Sequence, residues 1–525
     1  MNGGRERLKT AAICVFLAVW FLSRTWRGIF VYFSDDDLMN LYKAWTTAWY
    51  KLAIAAVVPF TSVYRPTGAL FYVALYHFFG LNPLPFRICT FALMMLNVWV
   101  LYRVARLLTG SREVGVLAAV IGCYHSRLID LLVNGGAIYD ILCFTFFWSA
   151  FAVYVDSKQK YGEVTGWRLA GFCALFTLAL NSKEMAVTMP AILFAYEWIY
   201  HCPELRFAPV SKWIVRAHAL WISVLITALA ILAKMGSQGP FIGNLGYKVT
   251  WSMQQLFSTL RPLTDELLAL APGTLKTAGV LALYGLVWAV ALFSRKKPLL
   301  FCAAVIVIAP LPVNLIVYRG FFVMYLPLVG WAIYTASILI YFRDWLWRAA
   351  WDRSEARAIS ASERAIWALL VVFVVFEIQN QDTYTFSGHV PPSQGQIRTL
   401  KENLFRIRPV APSNGGVLFL RDPFEADSWN WLYVVRLLYR DDSIPVSRMN
   451  GVTHGSPLVE AQKYNLILDY CGAGYVEVPP RATLGLPDDQ RRCEVGDQRR
   501  YAQPDGVGRD SDQQQQAVRP ELQNR

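Results

Sequence analysis

The sequence predicts an all-α polytopic membrane protein of about eleven transmembrane helices with a small C-terminal α/β domain outside the bilayer. Three observations predict it. Apolar residues fill 55% of the 525 positions and charged ones only 17%, for a mean hydropathy of +0.34. Apolar runs long enough to cross a bilayer recur through the first 380 residues, separated by short basic clusters. Beyond residue 380 the pattern changes to short β-like runs and one helical-period stretch.

The spans are read near 11–32, 85–107, 113–126, 138–155, 168–182, 185–200, 213–234, 275–293, 299–317, 321–342 and 364–379. Basic residues mark every second connection: Arg5, Arg7 and Lys9; Arg103, Arg106 and Arg112; Lys158, Lys160 and Arg168; Arg206, Lys212 and Arg216; Arg295, Lys296 and Lys297; then Arg343 through Arg364. Cytoplasmic loops carry such excess positive charge, so the N-terminus is expected inside and the alternate loops outside. The first span keeps Arg24 and Arg27 at its outer end and lacks a small-residue cleavage site, the pattern of an uncleaved anchor. The odd count leaves the C-terminal domain extracytoplasmic, in a bacterial-type inner membrane with N-terminus in the cytoplasm.

The net charge of +13 invites a nucleic-acid reading, but its distribution between apolar runs argues against one. The nine cysteines show no metal-ligand spacing; Cys471 and Cys493, in the tail, can pair if that tail is extracytoplasmic.

Topology brings the rare polar residues to one side. Asp35, Asp36 and Asp37 lie in the first outer loop; Asp130, Asn134 and Asp140 in the next; Lys183 and Glu184 in the third; Arg319 in the fifth. Carboxylates at the mouth of a membrane bundle are costly to desolvate and therefore read as functional. Within the first loop, Leu38, Leu41, Trp45, Trp49 and Leu52 recur at helical spacing, and Pro66 can open a second helix through about His77. Residues 35–83 thus read as a loop with two interfacial helices inside a membrane domain of residues 1–380.

These residues carry a resemblance. His125-Ser126-Arg127-Leu128-Ile129-Asp130, then Tyr139-Asp140 at the head of a span, then Ser182-Lys183-Glu184-Met185-Ala186-Val187-Thr188-Met189-Pro190, resemble membrane glycosyltransferases of the GT-C fold that use polyprenyl-phosphate sugars. The pattern is most similar to the O-mannosyltransferases with TPR tails and their bacterial relatives. Tyr64-Arg65-Pro66 and Tyr325-Leu326-Pro327 with Gly330 resemble two further signatures of that family. Ser126 replaces the family's proline, Asp130 its glutamate, the arginine before the Tyr-Leu-Pro is displaced to Arg319, and no TPR repeat follows.

The resemblance implies sugar transfer from a polyprenyl-phosphate donor to an extracytoplasmic hydroxyl of a glycan, lipid or protein, within the cell envelope. An acceptor hydroxyl needs a general base. Asp36 or Asp37 suits it best, because Asp-Asp with Asn-Leu two residues on fits the family's loop; Asp35 is held in reserve. Arg65, Lys183 and Arg319 can neutralise the leaving phosphate. Asp140 and Asp130 can orient the base or a cation, and Asp36 with Asp140 would be the ligands of any Mg2+ or Mn2+. His125, Glu184 and Tyr325 complete the expected substrate contacts.

Plainer readings stand beside these. The aspartates can simply end the first helix, Asp140 can cap the fourth span, and Lys183-Glu184 can be a polar turn. His125 and Tyr325 can be packing residues, and Arg319 a headgroup anchor. A transporter or lipid flippase would also need an outward charged cavity, but the acidic loop has no second copy. Beyond the bundle, strands at 417–420 and 464–470 around a helix at 429–438 predict an α/β domain over 381–500; Gln513 to Gln516 begin no packed element, and 501–525 reads as a disordered tail.

Overall fold

Proline and glycine set the bounds of the longest helices. Pro83 opens a helix at Pro83–Thr109 in the first turn, where its missing N–H costs nothing, and Gly110 closes it in the left-handed conformation (φ 72°). Gly162 (φ 75°) likewise ends Ile138–Tyr161. The structure is a computed structural model that describes residues 2–123, 125–205, 215–235, 248–350, 361–381, 386–412, 415–449, 464–472 and 474–478. Cys493 and the predicted tail at 501–525 lie outside the described residues.

The helices used below are α1 (Asn2–Thr25), α2 (Asp35–Trp45), α3 (Trp49–Val57), α4 (Pro66–Phe79), α5 (Pro83–Thr109), α6 (Arg112–Cys123), α7 (Asp130–Val133), α8 (Ile138–Tyr161), α9 (Gly166–Leu180), α10 (Met189–Leu205), α11 (His218–Met235), α12 (Met253–Leu267), α13 (Thr277–Ser294), α14 (Lys297–Ile308), α15 (Leu311–Asn314), α16 (Leu328–Ala350), α17 (Ala361–Gln381), α18 (Phe386–His389), α19 (Pro392–Ile407) and α20 (Asn430–Tyr439). A helix occupies each of the eleven predicted spans. Six stretches among the described residues are long and apolar enough to cross a membrane: Leu8–Phe30, Pro83–Thr109, Gly135–Tyr161, His218–Met235, Thr277–Ser294 and Lys297–Asn314. The chain is therefore a multi-pass membrane protein, mostly helical. The helices α6, α9 and α10 hold 12, 15 and 17 residues, short of the length a crossing asks for, so the count of eleven does not follow from length and composition.

The bundle packs around α8, whose Trp148, Tyr154, Phe147 and Phe151 are fully buried. The Trp148 indole donates to the Leu326 carbonyl at 3.2 Å, and the Phe151 and Phe301 rings stack with centroids 5.4 Å apart. By contrast Val15, Val19, Leu281, Leu286 and Phe293 are open, as lipid-facing side chains of a membrane bundle are.

The outer segment of the first loop holds three helices, where two were expected. The expected run 38–52 breaks after Trp45, because Thr46 and Thr47 turn their hydroxyls back onto the Tyr42 and Lys43 carbonyls and Ala48 takes up an extended conformation (ψ 126°). Pro66 opens α4 as expected, with Arg65 before it in the left-handed region (φ 45°), a conformation that costs about 1–2 kcal/mol for a residue with a Cβ.

The C-terminal sheet has strand order β2-β1-β3-β4, with β1 (Gly416–Arg421) parallel to β2 (Val446–Arg448) and β3 (Tyr464–Tyr470), and β4 (Tyr475–Glu477) antiparallel to β3. This is the expected small α/β unit, extended by β2, β4 and α19, which are too short or too polar to read from pattern alone. It rests on the first loop through α20. Arg436 donates to the Tyr42 hydroxyl at 2.6 Å, the Tyr42 and Tyr433 rings lie 5.0 Å apart, and Tyr76 donates to the Leu437 carbonyl.

Close packing of α4 on α8 depends on Gly68, where an added Cβ would overlap the Tyr139 ring. Gly68→Val is expected to cost about 1–3 kcal/mol by overpacking, read as a lower melting temperature of the detergent-solubilised protein. Gly171→Ala, inside α9 with nothing within 4 Å of its added Cβ, should leave it unchanged or raise it.

Candidate active site

The acidic run forms the first turn of α2. Ser34 is its N-cap, and Ser34 and Asp37 close a capping box. The three carboxylates then go three ways. Asp37 turns inward and is 4% exposed. Its Oδ2 accepts from the Ser34 N–H (2.8 Å) and hydroxyl (3.0 Å), from Arg87 Nη2 (3.2 Å) and from the Gly135 N–H (3.2 Å). Its Oδ1 accepts from the Tyr72 hydroxyl at 3.1 Å. Asp35 turns toward the C-terminal unit and accepts from the Ser393 hydroxyl (2.7 Å) and the Asn430 amide. Asp36 is exposed and accepts from Asn134 Nδ2 at 2.9 Å.

Asn134 can point only one way. Its Oδ1 accepts from the Gly136 N–H at 2.9 Å and lies 3.0 Å from the Ser34 hydroxyl, so its amide donor must face Asp36. The two glycines that follow let the loop approach. A Cβ at Gly135 would overlap the Asp37 carboxylate, and one at Gly136 would stand 2.7 Å from Asp36 Cβ.

A cationic group adjoins. Arg65 holds Glu184 bidentately (Nε to Oε1 3.1 Å, Nη2 to Oε2 2.6 Å), while Lys234 Nζ lies 3.8 Å from the same carboxylate. Lys183 Nζ bonds both Asp140 oxygens at 2.5 Å. Three cations thus face two carboxylates, leaving one net positive charge at the top of α8, α9 and α11. Burial would push the Glu184 carboxyl up, but Arg65 and then Lys234 outweigh it and hold it at about 2. Tyr139 stands between the two groups, within the fields of Arg65, Asp36, Asp37 and Glu184, with the Arg65 guanidinium 5.3 Å from its ring centre.

The remaining predicted residues lie apart from this pairing. His125 Nε2 is 3.1 Å from the Leu267 carbonyl and its ring lies 4.8 Å from that of Phe321. Asp130, beside Gly320, has its carboxyl raised by burial, with His389 opposing. Arg319 is exposed on the adjoining loop. Tyr325 is buried, its hydroxyl taking a bond from Asn97 Nδ2 at 3.2 Å and its ring stacked 4.6 Å from Phe144.

Sequence reasoning gave no role to Asn134, Tyr139, Arg87 or Lys234. A signal was present for the last two. Both are cations at span ends expected to be external, where basic residues are depleted and need a partner to explain them. As for a divalent ion, both Asp140 oxygens are occupied by Lys183, and no group of three or more His, Cys, Asp or Glu side chains able to hold a metal occurs among the described residues. The predicted Asp36–Asp140 pair therefore does not fit a metal site.

From the foot of the Glu184 turn, an open apolar groove of about 830 Å³ runs between α10, α11, α13 and α14. Pro190 and Ile308 lie toward the charged end, and Trp198, Trp221 and Trp288 line it further down. Its half-open walls, with Trp198 60% exposed, face where the bilayer would be.

No protein-family model matches the chain, and no curated protein matches it in sequence. Among solved structures it is similar to the Archaeoglobus fulgidus oligosaccharyltransferase, crystallised tethered to an acceptor peptide containing the NVT sequon. That likeness has a TM-score of 0.45 and 13% identity, over 83% of this chain and 63% of the other, so the chain spans just under two thirds of that protein's length. It is also similar to ArnT from Cupriavidus metallidurans, crystallised with undecaprenyl phosphate, with a TM-score of 0.42 and 15% identity over 85% and 86% of the two chains.

The depressed Glu184 value carries a pH consequence. A carboxyl lowered on folding contributes stability above its ordinary value of 4.5, and that contribution is lost as pH falls toward about 2. Melting temperature measured from pH 5 to pH 2.5 should therefore fall more steeply for the wild type than for Glu184→Gln. Parallel curves would show that the Arg65 pairing contributes nothing.

Proposed function

We propose that this chain is a membrane glycosyltransferase of the GT-C type, moving a hexose or pentose from a polyprenyl-phosphate donor to an extracytoplasmic acceptor hydroxyl with inversion. The observation that carries the reading is the split of the acidic turn. Asp35 and Asp36 are both exposed, but both Asp35 oxygens are engaged by Ser393 and Asn430 of the C-terminal unit and Asp37 is buried under five donors, whereas Asn134 holds Asp36 through one oxygen only. The sequence resemblance supports the reaction class, and the apolar groove between α10, α11, α13 and α14, which begins at Pro190 just past the Glu184 turn, suits a prenyl tail.

In this reading the acceptor oxygen attacks the anomeric carbon as Asp36 takes its proton. The bond from that carbon to the phosphate oxygen breaks, and the electron pair leaves with the lipid phosphate. The single displacement inverts the centre. Asn134 holds Asp36 by one N–H bond and leaves its other lone pairs open to the acceptor. The growing phosphate charge falls to Arg65, Lys183 and Lys234, where one positive charge is in excess. Asp140 orients Lys183, Glu184 orients Arg65, and Asp37 anchors the turn. Asp130, His125 and Arg319 would bound the cavity at the side of α7, while Tyr325 supports it from the core. The charged end faces away from the cytoplasm, where a lipid-borne sugar is the available donor. Cys471 is disulfide-bonded, a state that persists in an oxidising compartment.

The test is transfer in nanodiscs from radiolabelled polyprenyl-phosphate hexose and pentose to cell-envelope acceptors. Asp36→Asn should lower kcat at least 100-fold, the scale of a lost general base, with donor KM nearly unchanged. Lys234→Met should raise donor KM instead. Unchanged transfer by Asp36→Asn would overturn the mechanism, and movement of lipid-linked sugar without a glycosidic product would favour a flippase.

A further inference from the structure

The C-terminal unit carries an aromatic surface that folding does not account for. Trp429 is 57% exposed, although it sits in a unit with its own buried core of Val417, Phe419, Val434, Val435, Leu466 and Leu468. One face of its indole stacks on Trp431, with ring centroids 5.8 Å apart and planes at 23°. Trp431 is itself 7% exposed, donates its indole N–H to the Ser428 carbonyl at 2.8 Å, and lies beneath the Arg448 guanidinium at 5.7 Å. Arg448 is locked in turn by two bonds to Asp422, at 2.7 and 2.6 Å. The outer ring is thus mounted on a rigid stack of ring, guanidinium and carboxylate.

Its position is as telling as its rigidity. Asn430, the next residue, donates to Asp35, which adjoins Asp36 in the same turn of α2. Trp429 is thus one residue along the sequence from Asn430, whose contact with Asp35 flanks the proposed base. Around it, Glu425, Ala426 and Asp427 are exposed, giving two carboxylates at the rim of an aromatic plate. A flat π-face attracts the weakly positive axial C–H bonds of a pyranose or furanose, and flanking carboxylates accept its hydroxyls. A peptide acceptor would ask for backbone pairing or a side-chain pocket, whereas this loop offers a ring face and carboxylates.

We propose that the Glu425–Trp429 loop is an acceptor subsite for a saccharide, with Trp429 stacking on the sugar next to the one that receives the transferred residue. The acceptor class is then a glycan rather than a polypeptide hydroxyl. This deepens the transferase reading and rests on it for the word acceptor, but saccharide binding can be measured without turnover.

Saturation-transfer NMR of the full chain in nanodiscs, against a panel of hexose and pentose di- and trisaccharides, is the direct measurement. Saturable binding of at least one member is expected, weakened about fivefold in Trp429→Ala and kept within about twofold in Trp429→Phe, since stacking on an aromatic face contributes about 1 kcal/mol and a smaller ring retains part of it. In transfer assays Trp429→Ala should raise acceptor KM with kcat and donor KM held. The subsite is overturned if no member binds the wild type, or if both variants bind as the wild type does. A 5-fluorotryptophan resonance lost in Trp429→Ala supplies the other arm: relaxation by a water-soluble gadolinium chelate supports the subsite, and relaxation by a lipid-borne nitroxide would make Trp429 a headgroup anchor. Saccharide binding without transfer would overturn the transferase reading alone, and transfer indifferent to Trp429 would overturn the subsite alone.

Discussion

The outer architecture depends on one buried carboxylate. Asp37 receives donors from the N-cap serine, from Tyr72 on α4, from Arg87 on α5 and from the Gly135 backbone ahead of α8. A carboxylate at that depth without partners would be prohibitive, and a buried ion pair alone roughly breaks even against its desolvation. The combination of a guanidinium with four neutral donors is what makes it tenable. Because those donors come from four segments, Asp37 fixes where α2, α4, α5 and the 134–137 turn meet. Asp36 inherits its direction from that anchor, being the next residue on the same helical turn.

A second constraint comes from α8, which carries paired charge at both ends. Asp140 holds Lys183 in its first turn, and Lys158 in its last turn meets Glu197 at 3.1 Å, about 27 Å away by helical rise. Glu197 also accepts from the Tyr154 hydroxyl at 2.6 Å, and Arg343 pairs with Glu113 at 2.8 Å toward the same end. The apolar middle of the bundle thus runs between two charged ends. The Asp140 end adjoins the acidic turn with its exposed Asp35 and Asp36, and that neighbourhood gives the bundle a direction for chemistry.

The C-terminal unit closes the arrangement. Asp35 is bonded to Ser393 at the start of α19 and to Asn430 at the start of α20, so its negative charge sits against two helix N-termini as well as that of its own α2. Gln394 on α19 adds a bond to the Val133 carbonyl at 2.7 Å. The unit is therefore held over the acidic turn by its polar helix starts and by the apolar and aromatic flank of α20.

Much of this was legible in the residues themselves. Apolar runs of spanning length and Pro66 at the start of α4 follow from local rules, because backbone donors and apolar surface must be satisfied wherever the chain goes. The Ser-Lys-Glu turn and Asp140 stood out because charge is scarce in this composition. What pattern could not supply was the division of labour among Asp35, Asp36 and Asp37. Consecutive residues on a helix point about 100° apart, so each meets a different neighbour, and those neighbours arrive from positions as distant as Asn134 and Asn430. Charge and hydropathy are properties of the chain, whereas which carboxylate stays open to a substrate is decided only when remote segments have buried Asp37 and bonded both oxygens of Asp35.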